Sequence, residues 1–174
     1  MTPEETTSLL AALCDQYPRE DITPQRLQWY CEMLADLSFE DAKGAMMRAA
    51  AKSEFFPSIA KIREEAANAA VDHTPDPEAA WGLVVSAIGR YGMHRRPTFD
   101  NPHLMDAVDA IGWRELCLSK EGDSTIRAQF REAYKASRER ARTDARVPAI
   151  ARTPDQQRRL GGGASLGKLL GGGE

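Results

Sequence analysis

The residues nearest to a recognised chemistry stand at the end of the chain, where Gly162 to Lys168 spell G-x-x-x-x-G-K. That pattern is most of a P-loop, whose backbone N–H groups cradle phosphate while the lysine reaches it. The motif works only where a strand delivers the turn and a helix follows, with a Ser or Thr after the lysine to hold magnesium. Here Gln156 to Leu160 precede it, Leu169 follows Lys168, and six residues remain after the lysine. The context argues against nucleotide binding. His73, His94 and His103 fall at no metal or triad spacing, and Cys14, Cys31 and Cys117 form no C-x-x-C pair. No catalytic residue, metal site or cofactor is expected, and the chain reads as a non-enzymatic binding protein. Cys14 follows Leu10 and Cys31 follows Leu27 at i+4, which places both thiols on apolar stripes as packing residues.

Without phosphate chemistry, the same terminus becomes a short apolar cluster, Leu166, Lys168, Leu169 and Leu170, set between two runs of three glycines. Such a segment suits a tethered peptide that orders in a groove of another protein, with the glycines giving reach; the alternative is an inert tail. A second candidate is charge. The net charge of −3 is spread unevenly, with −8 over residues 1–78 against +6 over residues 127–174. Basic groups at 127, 131, 135, 138, 142 and 146 recur at helical steps, so Arg138, Arg142 and Arg146 would attract an acidic protein face or DNA. Glu132, Glu139 and Asp144 interrupt the stripe, and any DNA contact is expected to be weak and salt-sensitive. His94-Arg95-Arg96, in a loop near Tyr91 and Phe99, would touch phosphates while an aromatic ring stacks on a base. The plainer reading makes those rings core and Arg95 and Arg96 exposed.

The elements that carry these residues are helical throughout. Thr2-Pro3-Glu4-Glu5, Thr23-Pro24, Ser38 with Asp41, and Ser58 each supply a helix start. They lead the apolar faces Leu9/Leu10/Leu13/Tyr17, Leu27/Tyr30/Cys31/Leu34, Ala42/Ala45/Met46/Ala49 and Ile59/Ile62/Ala66. Pro77 and Asn101-Pro102 open two further helices, Gly112-Trp113 begins a short turn, and Asp123 or Ser124 caps a long basic helix presenting Ile126, Phe130, Ala133 and Tyr134. No alternating strand pattern occurs. The expectation is an all-α fold: a four-helix domain over 1–72, a proline-rich linker at 73–77, a second helical unit over 78–146 and a disordered, glycine-rich tail over 147–174. Apolar stretches such as Ala79 to Ile88 fall far short of the roughly 20 residues that span a bilayer. The start MTPEETTSLL lacks a basic n-region, so a cytosolic protein with no membrane contact is expected.

Several segments of the first unit, read in order, carry a likeness: Leu9-Leu10 through Tyr17-Pro18, Ile22-Thr23-Pro24, Trp29-Tyr30, Leu34-Ala35-Asp36-Leu37 and Phe55-Phe56-Pro57-Ser58-Ile59-Ala60-Lys61-Ile62-Arg63. Over about residues 5–70 this order resembles the N-terminal domain of phage replicative-helicase loader/inhibitor proteins. The stretch from Trp81 through Gly92, Phe99, Ile111-Gly112-Trp113 and Ala128-Gln129-Phe130 looks similar to the second part of phage-type replication proteins. The resemblance implies a cytoplasmic replication accessory of a bacterial host cell. Such a protein has no ATPase of its own. It binds the hexameric replicative helicase, loads or inhibits it, and passes it to an origin-bound or recombination-linked protein. A second folded unit ahead of the tail departs from the family pattern, so the helicase contact would lie in the tail, in that unit, or in both. The competing reading is a DNA-binding replisome organiser or regulator that uses the basic helix.

Overall fold

A computed structural model describes residues 1–119 and 124–161 of the 174-residue chain. Among these residues every regular element is a helix: α1 Pro3–Cys14, α2 Pro24–Leu34, α3 Phe39–Ala51, α4 Ile59–Asp72, α5 Pro77–Tyr91, α6 Pro102–Ile111, α7 Trp113–Leu118, α8 Ser124–Arg146 and α9 Pro154–Gly161, with a 3-10 turn at Ala149–Ala151. The all-α expectation holds. Contacts divide the chain into two compact units, one of Met1–Val71 with the chain from Arg142 onward, the other of Asp72–Ala141.

The helices start where hydroxyls and carboxylates wait for orphan N–H groups. Thr2 Oγ1 accepts from the Glu5 amide at 3.2 Å while Glu5 Oε2 accepts from the Thr2 amide at 2.7 Å, a complete capping box. Thr23, Ser38 and Ser58 accept in the same way from Arg26, Asp41 and Lys61. Asp76 and Asn101 each take two amides at the heads of α5 and α6. Gly92 and Gly112 close those helices with φ of 62° and 99°, backbone that a side chain would strain.

In the first unit the apolar faces of α1 to α4 meet around Leu10, Leu34, Met46 and Ile62, all at most 3% exposed. Alanines 42, 45 and 49 on α3 are fully buried and let the neighbouring helices approach closely. The cysteines differ from expectation in degree: Cys14, Cys31 and Cys117 are half-buried free thiols at the margins of the apolar faces. Burial still pushes the thiols of Cys14 and Cys117 up, which disfavours thiolate chemistry.

The second unit packs Val84, Leu104, Val108, Leu116, Phe130 and Tyr134 into its own core. Phe130 lies 5.3 Å from Trp81 and 6.1 Å from Tyr134 between ring centroids. The Tyr134 hydroxyl donates to the Pro75 carbonyl at 2.8 Å, which pins the proline segment to the core it precedes. Tyr91 and Phe99 are half-buried against this core, in line with the plainer reading of the sequence.

The sequence predicts disorder from Val147 onward because large apolar residues run out there, yet the chain makes the 3-10 turn and then α9. Polar contacts hold it instead. Thr153 caps α9 by accepting from the Gln156 amide at 3.3 Å, and Arg152 is anchored on Asp36. Residues 162–174 lie outside the described residues.

Phe130→Ala should cost about 3–5 kcal/mol, the usual loss for an aromatic-to-alanine change in a packed core. Hydrogen exchange should show amides of Asp72–Ala141 losing protection before those of Met1–Val71. Equal loss in both would mean that they unfold as one.

Candidate functional site

Arg63 is the most constrained polar residue of the first unit. It falls at i+4 from Ile59 and next to Ile62 on the inward face of α4, and it is 1% exposed. A guanidinium there must have its five N–H donors matched. Nη1 donates to Asp36 Oδ1 at 2.7 Å and to the Met33 carbonyl at 2.8 Å. Nη2 reaches Asp36 Oδ2 at 3.0 Å and the carbonyls of Ala145 and Val147, each at 2.9 Å; Nε takes the Arg146 carbonyl at 2.7 Å.

Those three carbonyls stand at the end of α8, where a helix has no partners of its own to offer. Arg63 is therefore a C-terminal cap supplied by another helix, its charge at the negative end of the α8 dipole. Asp36 leaves α2 between the buried Leu34 and Leu37, which aims its carboxylate at Arg63, and it takes a second cation, Arg152, at 2.5 Å. Burial would raise the Asp36 carboxyl, but hydrogen bonds and charge from Arg63, with charge from Arg152, hold it below the ordinary carboxylate value.

The aromatic residues of the same motifs gather around Phe56. Tyr17 and Tyr30 meet its ring edge-on at 5.6 and 6.2 Å, and the Arg26 guanidinium lies over it at 4.8 Å. The Tyr30 hydroxyl donates to the Pro57 carbonyl at 3.0 Å and Tyr17 to that of Ser53 at 2.9 Å, which fixes the Phe55-Phe56-Pro57-Ser58 turn. Outside this cluster opens a groove of about 620 Å³, lined by Arg26, Trp29, Tyr30, Phe56, Ser58, Ile59 and Ala60. Trp29 is 56% and Phe55 79% exposed, so the domain shows two large aromatic side chains to its surroundings. The groove presents aromatic and aliphatic side chains with a single cation, Arg26, among them.

Residues 1–63 match the family model for the N-terminal domain of the phage helicase loader/inhibitor. This is the family that the motifs resemble, and the match ends on Arg63 itself. No curated protein and no solved structure matches the chain.

The sequence-predicted charges separate in the second unit and at its end. Arg127 and Arg131 on α8 are both paired with Glu78, Arg131 at 3.3 Å, and Lys135 pairs with Glu132 at 3.0 Å. Arg138 is half-buried with its guanidinium 5.9 Å from the Tyr134 ring centroid; Arg142 is half-buried, and Arg146 lies 3.8 Å from Glu64. Arg96 is paired with Asp109, whereas Arg95 sits over Tyr91 at 5.6 Å. Leu166, Lys168, Leu169 and Leu170 lie outside the described residues.

One constellation that spacing did not reveal is present. His103 Nδ1 is 3.0 Å from Ser137 Oγ, whose proton goes to Asp106 Oδ2 at 2.6 Å. It is not a nucleophile's triad, because the serine donates to the acid and is 3% exposed. Burial, with the charge of Arg138 adding to it against Asp106, lowers the His103 pKa and keeps the ring neutral at pH 7. Among the described residues, no group of three or more His, Cys, Asp or Glu is placed to hold a metal ion.

The depressed Asp36 carboxyl has a consequence for stability. Its stabilisation is complete above the unfolded carboxylate value of about 4 and is lost as pH falls through the lower folded value. Asp36→Asn should cost about 3–5 kcal/mol at pH 7, since Arg63 stays buried with its charge unbalanced. Urea midpoints measured from pH 6 to pH 2.5 should then fall less steeply in the variant than in the parent protein. Parallel pH profiles would show that the pair contributes nothing through ionisation.

Proposed function

We propose that this protein is a non-enzymatic phage or prophage replication accessory that binds the hexameric replicative helicase of the host cytoplasm and loads or inhibits it. The observation that carries this reading is the match of residues 1–63 to the N-terminal domain of the phage helicase loader/inhibitor family. The site geometry accords with it, in that the motif residues build a buried arginine clasp and an aromatic groove. No helix among the described residues is long and apolar enough to cross a membrane.

In this proposal Leu166, Lys168, Leu169 and Leu170 are the docking anchors, presented between glycines and able to order on contact. Arg138, Arg142 and Arg146 at the end of α8 add electrostatic attraction to an acidic helicase face, and Arg95 and Arg96 add to the positive charge of the second unit. An origin-bound or recombination-linked protein is the proposed recipient of the helicase. The alternative, a DNA-binding regulator acting through α8, is weakened because Arg127, Arg131 and Lys135 already have carboxylate partners.

Immobilised full-length chain should retain the hexameric helicase, and a truncation ending at Arg159 should not. Raising salt from about 50 to 200 mM should weaken capture, as screening predicts for exposed charges. Capture by both proteins would move the contact into the folded units. Capture by neither would end the helicase reading.

A further inference from the structure

The corner where α5 leaves the second-unit core holds two arginines, Arg90 and Arg95, that pair with no carboxylate among the described residues. Gly92 ends α5, its amide donating to the Ile88 carbonyl at 2.9 Å, and the Trp113 indole N–H donates to the Gly92 carbonyl at 3.0 Å. The following loop is held at its far end by the buried Pro97 and by the Phe99 amide against Met105 Sδ at 3.4 Å. The guanidiniums of Arg90, on the last turn of α5, and of Arg95, in the loop, lie 6.0 and 5.6 Å from the centroid of one ring, Tyr91. Both arginines are exposed, with the exposed His94 beside them in the chain. Among the described residues neither makes an ion pair, in contrast to Arg96 with Asp109 and to Arg127 and Arg131 with Glu78.

Two guanidiniums held against one half-buried ring lose little freedom when they bind, and their forked donors match phosphate oxygens. The α5 C-terminus brings about half a negative charge to this corner, which two full positive charges outweigh. Their forked donors suit phosphate oxygens spaced along a backbone. A flexible single strand would place successive phosphates on both arginines and stack a base on a guanidinium plane.

We infer that Arg90 and Arg95, carried on Tyr91, form a contact site for the phosphate backbone of single-stranded DNA. The test uses DNA alone, so its outcome does not depend on the helicase reading. Anisotropy of a fluorescein-labelled single-stranded oligothymidylate is titrated with the full chain at several salt concentrations. The double variant R90A/R95A should bind roughly tenfold more weakly at 50 mM salt, with a log–log salt slope shallower by about 1.4, or 0.7 for each phosphate that the variant no longer neutralises. R127A/R131A removes the same charge from α8 and should stay within about twofold of the parent protein, because both guanidiniums are already engaged by Glu78. Circular dichroism confirms that both variants fold. No binding by the parent protein, or equal weakening in the two double variants, would overturn the site. A duplex of equal length that binds more tightly, or polyglutamate that competes as well as DNA, would overturn its assignment to single strands.

Discussion

A guanidinium buried in a helical domain needs an acceptor for every N–H, and the arrangement around Arg63 follows from that requirement. One carboxylate satisfies two directions, so Asp36 must leave α2 pointing inward, which the buried Leu34 and Leu37 on either side enforce. The remaining donors call for carbonyls that no helix already uses. The end of α8 supplies three of them, and the end of α2 supplies Met33. The clasp thus turns two costs into one arrangement: a desolvated charge and a set of orphan carbonyls cancel each other. Arg152 then closes on the outer oxygen of Asp36 and brings the 3-10 turn after α8 against α2.

The basic residues illustrate how little a charge count says before the partners are known. Arg63 is consumed internally, Arg127 and Arg131 share a single glutamate, and Arg96 has an aspartate. Arg90 and Arg95 have an aromatic ring, which orients a cation without neutralising it. A stripe of helical spacing on α8 therefore offers less outward positive potential than its sequence suggests, and a two-arginine corner offers more.

Much of the fold was legible because its signals are local. Thr2, Thr23, Ser38, Ser58 and Asn101 cap helices through amides two or three residues away, and the faces they introduce are the faces that pack. What stayed hidden depends on residues far apart in the chain. Arg63 stood on an apolar face, the one sequence sign that it had a buried partner, yet Asp36 and the carbonyls at the end of α8 lie 27 and more than 80 positions away. The turn and helix after Val147 escape a sequence reading for a related reason, since composition registers the absence of large apolar residues but not an arginine with a distant carboxylate. The aromatic groove needed Trp29 from one helix and Phe56 from a turn to be brought together. Phe55 was expected among the motif residues, but its near-complete exposure beside a buried Phe56 is set by which ring Tyr17 and Tyr30 hold.

The position of Arg63 also bears on how the matched segment is built into a longer chain. The matched region stops at the residue whose guanidinium needs the carbonyls of 145–147, so in this protein the matched segment alone leaves part of its own buried charge unsatisfied. The second unit is inserted between the two halves of that clasp, contributed by Asp72–Ala141 while the chain from Arg142 returns to the first. Arg63 and Arg152 thereby tie the chain around residues 145–152 to Asp36 within the first unit.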